Sequence, residues 1–319
     1  MKLIAFIIAL NVVASGLFAQ GKMDASESEL VLKTATGNIY GTLTVAPNVK
    51  TSPVVLIIAG SGPTDRNCNS PAGIQTNAYK MLSEGFATNN ISSLRFDKRG
   101  IGESKPAMTS ESELRFETYI NDVVAWINLL KADNRFSKVI ILGHSEGSLL
   151  GMIAAEKTKV GAYISIAGAG RSADLILQEQ LKTKLPPQLM MESNKILESL
   201  KKGELVPNTN PSLATMYRPS VQPYMISWIK YDPAQEIKKL KVPVLIIQGT
   251  TDLQVPVEDA KLLSAAKPDA KLMIIDNMNH VMKESDANAS NNMATYKNPT
   301  LPLKNGLMDG LVNFIMTKK

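Results

Sequence analysis

Short apolar runs recur along this chain, and each ends on glycine, aspartate or a Gln-Gly pair. Val54-Val55-Leu56-Ile57-Ile58-Ala59 runs into Gly60, Ile91–Phe96 into Asp97 and Val139–Leu142 into Gly143. Further on, Ala162–Ala167 runs into Gly168, Val244–Ile247 into Gln248-Gly249 and Leu272–Ile275 into Asp276. Such runs suit strands buried on both faces. Upstream, Glu29–Thr34 and Asn38–Val45 are rich in β-formers and joined by Ala35-Thr36-Gly37, which predicts a hairpin. Between most runs lie amphipathic stretches. In one, Tyr119, Val123, Ile127 and Leu130 recur at spacings of four, four and three, one face of a helix. Alternating strands and helices predict an α/β fold with a mostly parallel sheet covered on both faces. Right-handed crossovers make that sheet doubly wound.

The rhythm breaks once. From Arg171 to about Asp232 no strand-like run occurs. Helical patterns replace it (Leu175, Leu177, Leu181, then Met190, Met191, Ile196, Leu197, Leu200), with prolines scattered among them. An irregular loop of that length is uncommon in a compact domain, so the interval reads as a helical insertion at about 171–233.

The first residues follow a different pattern. Lys2 is the only charge before Lys22, and an apolar stretch runs from Leu3 to Leu10 and on to Ala19. A basic start, a short apolar run and a small residue before Gln20 predict a signal peptide over residues 1–19. Asn11, Ser15 and Gly16 leave the run short for a stable span, so no membrane anchor is expected after cleavage. The mature domain is then 27–319, in the periplasm or secreted.

Composition changes little. The chain has 319 residues, 44% apolar and 20% charged, ordinary for a folded soluble protein. Its net charge of +6 comes from scattered lysines, without an arginine-rich stripe carrying interleaved aromatics, so nucleic acid is not an expected partner. Cys68, the one cysteine, has no partner for an internal disulfide and is read as incidental.

Gly143-His144-Ser145-Glu146-Gly147 has the form G-x-S-x-G. It stands between a buried-strand run and the small-residue-rich helical stretch Ser148–Ala155. Strand, sharp turn and helix form the setting in which such a serine is a nucleophile. The glycines let strand and helix approach, and the N–H groups of the new helix face developing negative charge. The backbone N–H of Glu146 is thus one expected oxyanion donor.

A serine hydroxyl needs a base. The chain has two histidines. His144 is adjacent to Ser145, where its ring cannot easily face the hydroxyl. That leaves His280, just past the run ending at Ile275, as the expected general base. The imidazole needs a carboxylate to fix its tautomer. Asp252 follows the run Val244–Ile247 and is preferred to Asp276, which is four residues from His280. The order Ser145, Asp252, His280 is the one expected of α/β-hydrolases. Gly60-Ser61-Gly62-Pro63-Thr64-Asp65-Arg66 follows another strand end. Ser61 is the first choice there for a second N–H donor, with Gly62 the alternative. An Asp65–Arg66 ion pair could shape this loop. Asp97–Ser104 is read as scaffolding near the site.

Together, Gly-Ser-Gly-Pro-x-Asp-Arg at 60–66, Asp-x-Arg-Gly-x-Gly-x-Ser at 97–104, Gly-His-Ser-Glu-Gly at 143–147, Gly-x-x-Asp-x-x-Val-Pro at 249–256 and Asn-His at 279–280 resemble the capped α/β-hydrolases. Within them the chain resembles the carboxylesterase and serine-aminopeptidase-like group. The resemblance implies the α/β-hydrolase fold, a Ser145–His280–Asp252 triad, a helical cap at about 171–233, and hydrolysis of a small-molecule ester without a cofactor or metal. Many relatives of the wider fold carry His-Gly at the oxyanion loop, whereas this chain has Ala59-Gly60. The expected substrates are esters of short to medium acyl chains under an apolar, Met-rich ceiling (Met190, Met191, Met216, Met225, Trp228). Two alternatives stay open: an aminopeptidase or thioesterase on the same fold, and a scaffold that binds without catalysing. No feature of the sequence specifies an oligomeric state.

Overall fold

Each apolar run forms a strand in the computed structural model, which describes residues 26–317. The segment read as a signal peptide lies outside the described residues. Besides a short hairpin of Asn69–Ser70 with Ile74–Gln75, the strands are β1 (Ser26–Thr34), β2 (Gly37–Val45), β3 (Ser52–Ile58), β4 (Ser92–Phe96), β5 (Phe136–His144), β6 (Ala162–Ile166), β7 (Val244–Gly249) and β8 (Lys271–Ile275). They make one sheet in the order β1-β2-β4-β3-β5-β6-β7-β8. The hairpin pair β1–β2 and the pair β2–β4 are antiparallel. Every neighbouring pair from β4 to β8 is parallel.

The helices are α1 (Ala78–Thr88), α2 (Phe116–Lys131), α3 (Glu146–Lys157), α4 (Ala173–Lys182), α5 (Pro187–Lys201), α6 (Ala214–Tyr217), α7 (Gln222–Ile229), α8 (Pro233–Lys239), α9 (Val257–Ala266), α10 (Ala289–Thr295) and α11 (Leu307–Met316). The two-fold alternation of β3 divides its side chains between two cores. Val54, Leu56 and Ile58 join α2, α3 and α8 residues such as Trp126, Leu150 and Ile237 on one face. Val55, Ile57 and Ala59 join α1 and α11 residues such as Leu82, Phe86 and Leu311 on the other.

Chain direction across the sheet reverses at β3. From β3 the chain steps one way to β4, then crosses back to β5 on the other side. Ligand sites of open α/β sheets lie outside the carboxyl ends of the strands at such a switch point. Gly60 follows β3 there, and Ser145 follows β5.

The interval between β6 and β7 carries α4 to α7 and a separate apolar core of its own, in which Leu197, Leu200, Tyr217 and Ile229 are buried together. It joins the main body through aromatic contacts. Phe116 of α2 stacks on Trp228 at 6.0 Å between ring centroids, and Tyr119 meets Tyr224 edge-on at 5.7 Å.

Close packing of α3 on β3 admits no side chain at Gly147. A Cβ there would lie 2.3 Å from the carbonyl oxygen of Ile58 and 2.7 Å from that of Ala59, both backbone atoms. Gly147→Ala is expected to lower unfolding free energy by about 1–3 kcal/mol, read as a drop in the urea midpoint at unchanged slope. An unshifted midpoint would show that α3 can move away from the sheet.

Candidate active site

At Ser145 the chain turns from strand to helix in one residue, with φ 55° and ψ −122°. A non-glycine residue held there costs of order ~1–3 kcal/mol and persists only where the surroundings enforce it. Here they do. The Ser145 N–H donates to the carbonyl of Ile166 at 3.0 Å. A Cβ on Gly143 would come within 2.3 Å of the Gly147 oxygen, and one on Gly60 within 3.0 Å of the Ser145 Cβ. Among the described residues Ser145 Oγ has no hydrogen-bond partner. In ligand-free sites such bonds are often long and tighten only around substrate.

His280 is buried. Its Nδ1 lies 2.8 Å from Asp252 Oδ2. A carboxylate only accepts, so Nδ1 donates and Nε2 is left as the basic nitrogen. Asp252 is held on every side: Gln248 Nε2 donates to Oδ2 at 3.0 Å, and the N–H groups of Gln254 and Val255 donate to Oδ1 at 2.7 and 3.0 Å. Burial pushes its pKa up, but the His280 ring and those two amides outweigh it and hold the carboxyl below its ordinary range. Asp276, the rival acid, is exposed. Neighbouring contacts hold the His280 loop. Buried Asn279 donates from its side-chain amide to Thr295 Oγ1 at 2.7 Å and accepts the Lys283 N–H at 3.0 Å.

His144 also belongs to this site, although its ring is turned away from the hydroxyl. The ring is fully buried, with Nε2 at 2.8 Å from the His280 carbonyl and Nδ1 at 2.7 Å from the Tyr79 hydroxyl. A carbonyl only accepts, so Nε2 carries the proton and Nδ1 accepts from Tyr79. The Tyr79 oxygen in turn accepts the Gly60 N–H at 3.2 Å. One chain of hydrogen bonds thus runs from the loop after β3, past His144, to the backbone of the histidine loop. Burial, helped by the neighbouring His280, lowers the His144 pKa to about 3.

Ser61 and Gly62 are exposed at the end of β3. Neither spends its N–H on a hydrogen bond among the described residues. Glu146 opens α3, where the first N–H groups lack helical partners. Its carboxylate, which sequence reading left aside, is buried in an ion pair with Lys98 at 3.0 Å. Lys98 therefore lies in the site, and Arg99, Gly100 and Ile101 line the cavity over Ser145, whereas Asp97 and Ser104 are scaffold. Asp97 accepts the Arg66 N–H at 2.7 Å, and Ser104 Oγ accepts the Tyr40 N–H at 2.8 Å. The expected Asp65–Arg66 pair does not form. Arg66 pairs with Asp97 at 2.8 Å and also with Glu103. Asp65 instead caps its own turn, accepting the N–H groups of Asn67 and Asn69 at 2.8 Å each. Burial pushes the Cys68 thiol up to about 11, far from thiolate chemistry.

A cavity of about 550 Å³ opens over Ser145 and is lined by Ser61, Gly62, Glu146 and the insertion. Met216, Met225 and Trp228 line it as read from sequence. Met190 and Met191 do not: Met190 packs within the insertion and Met191 is exposed. The lining cations all have carboxylate partners. Arg171 pairs with Asp259 at 2.7 Å, Arg99 with Asp122 at 2.7 Å, Arg218 with Glu111, and Lys98 with Glu146.

A family model described as serine aminopeptidase, S33, matches residues 72–286. The chain belongs to this family of α/β hydrolases. Among curated proteins, this S33-type chain is 29% identical over 251 residues to esterase EstD of Thermotoga maritima, across 76% of its own length. It spans 57% of the length of that relative. Its fold is similar to that of Est1E from Butyrivibrio proteoclasticus, with TM-score 0.56 and 17% identity over 84% of this chain and 96% of that one. It is also similar to a bromoperoxidase from Bacillus anthracis, with TM-score 0.54 and 14% identity over 91% and 100% of the two chains. At these identities the likeness concerns fold.

His144 makes a prediction about acid stability. An unfolded histidine takes up a proton near pH 6.5, whereas the folded ring resists until about pH 3. The penalty is absent above the unfolded value and grows as pH falls through that window, at up to about 1.4 kcal/mol per pH unit. Asp252, with its depressed pKa, adds to the loss at lower pH. Urea unfolding between pH 7 and 4 should show a shallower pH slope for His144→Asn than for the wild type. Equal slopes would mean that His144 ionises freely in the fold.

Proposed function

We propose that this chain is a serine esterase acting through an acyl-enzyme, with Ser145 as nucleophile, His280 as base and Asp252 as its orienter. The observation that carries the reading is the 2.8 Å bond from His280 Nδ1 to Asp252, beside a serine held at φ 55° under an apolar cavity. Ser145 Oγ attacks the ester carbonyl as His280 Nε2 takes its proton. The backbone N–H groups of Glu146 and Ser61, with Gly62 the alternative to Ser61, take the negative charge of the tetrahedral intermediate. His280 then protonates the departing alcohol, and water repeats the sequence on the acyl-enzyme.

The cavity favours a neutral ester over an N-terminal peptide. An aminopeptidase needs a free carboxylate for the substrate's α-ammonium, and the carboxylates lining this cavity, Glu111 and Glu146, are engaged by Arg218 and Lys98. The paired cations equally disfavour anionic substrates. The likeness to the Thermotoga maritima esterase supports the same choice. Residues 171–233 act as a cap, and their apolar lining suits short to medium acyl chains. The basic start and apolar run of residues 1–19 support export to the periplasm or beyond.

Ser145→Ala should lower turnover of p-nitrophenyl esters by at least ~10³-fold, and a fluorophosphonate probe should label Ser145 in the folded wild type. A folded wild type that resists the probe would favour a binding scaffold. Matched ester, thioester and aminoacyl amide substrates separate the remaining readings. Faster cleavage of the amide would overturn the esterase assignment.

A further inference from the structure

The buried Lys98 side chain joins the Gly60–Ser61 peptide to Glu146, and the expected oxyanion donors are the N–H groups of Ser61 and Glu146. Its Nζ donates to the carbonyl oxygen of Gly60 at 2.7 Å and to Glu146 Oε2 at 3.0 Å, and sits 4.9 Å from the Tyr119 ring centroid. The Gly60 carbonyl belongs to the same peptide unit as the Ser61 N–H. In a trans peptide the two point in opposite directions. Anchoring the oxygen on the ammonium therefore aims the N–H the other way. The bond also polarises the peptide, which strengthens that N–H as a donor. Glu146 is the residue whose backbone N–H is the other donor. Its second carboxylate oxygen accepts the hydroxyl of Tyr224, from α7 of the insertion.

We propose that Lys98 is a positioning residue for the oxyanion hole, fixing the Ser61 N–H through Gly60 and the Glu146 N–H through its carboxylate. This rests on the esterase reading above. A buried ion pair adds little stability beyond a well-packed apolar substitute, so its value here lies in geometry. An ammonium suits the task. It is a compact point charge whose N–H bonds diverge, one to a carbonyl and one to a carboxylate. A hole misaligned by an ångström loses transition-state contacts while ground-state binding in the cavity persists. Loss of the Lys98 bonds should therefore act on kcat and leave KM alone.

The test uses the full-length protein, a p-nitrophenyl ester and an alkyl trifluoromethyl ketone. Ser145 Oγ adds to the ketone carbon, the carbonyl π pair becomes an alkoxide in the hole, and the serine proton passes to His280. Lys98→Arg keeps the charge, but its planar fork cannot meet both acceptors from the same point. Lys98→Met/Glu146→Gln removes both charges together, so neither is left buried alone. Both variants should lose about 10–100-fold in kcat, with KM changed less than about twofold. The ketone inhibition constant should rise by the same factor as kcat/KM falls.

A folded variant of either kind with kcat and ketone affinity within about twofold of wild type overturns the proposal. So does a loss confined to KM. A wild type that neither hydrolyses the ester nor binds the ketone would fail the esterase reading instead. An active, ketone-inhibited wild type with unaffected variants fails only the role of Lys98.

Discussion

The turn at Ser145 is the constraint around which this fold is arranged. Strand β5 must end, the chain must reverse within one residue, and α3 must start against the backbone of β3. Two glycines make that geometry possible, since a Cβ on Gly143 would lie 2.3 Å from the Gly147 oxygen and one on Gly147 2.3 Å from the Ile58 oxygen. The resulting φ of 55° is strained for serine, and only a tightly packed interior can hold it. The two sheet cores supply that packing. Strain and packing together leave the Ser145 hydroxyl standing clear of the sheet, with free helix N–H groups beside it.

Much of this was legible in the sequence because its cause is local. Apolar runs ending in glycine or aspartate give strands, and the eight strands of the main sheet lie where the pattern put them. The strand-to-helix turn at Ser145 is legible for the same reason, since its steric demands fall on neighbours in the chain. The Asp252–His280 bond, formed across 28 residues, could be read by elimination, because only two histidines were available. Long-range pairing of charges was not legible. Arg66 is adjacent to Asp65, yet it bonds Asp97, 31 residues on, because Asp65 is committed to the N–H groups of its own turn. Lys98 was hidden by its setting in a glycine-rich loop that reads as scaffold, although Arg99, Gly100 and Ile101 also line the cavity. Nothing along the chain marks a lysine that will be buried. Met190 and Met191 misled for another reason. Composition suggested a Met-rich ceiling, but the face a helix presents depends on its tertiary neighbours, and theirs is the insertion's own core or solvent.

His144, set aside as a base on its position next to Ser145, fills another place in the structure. Both its ring nitrogens are bonded away from the Ser145 hydroxyl. Burial then makes the neutral form the stable one, and a neutral imidazole has one donor and one acceptor. The surroundings match that inventory: the His280 carbonyl takes the donor and the Tyr79 hydroxyl serves the acceptor. A protonated ring would have two donors, and the Tyr79 O–H would lose the nitrogen that accepts it. The network therefore selects one tautomer, and that tautomer ties the histidine loop to the β3 end.

Two polar chains thus leave the same loop after β3 and reach opposite parts of the site. Gly60 contributes its N–H to the Tyr79–His144 chain, which ends on the His280 backbone, and its carbonyl to Lys98, which ends on Glu146 and Tyr224. A residue at this position must therefore use both backbone groups while its Cα lies against Ser145, where a Cβ would come within 3.0 Å of the serine Cβ. A side chain here would push the loop away and lengthen both chains together. The glycine is the part that two hydrogen-bond networks require, and the residue before it is free to pack into the sheet core, as Ala59 does.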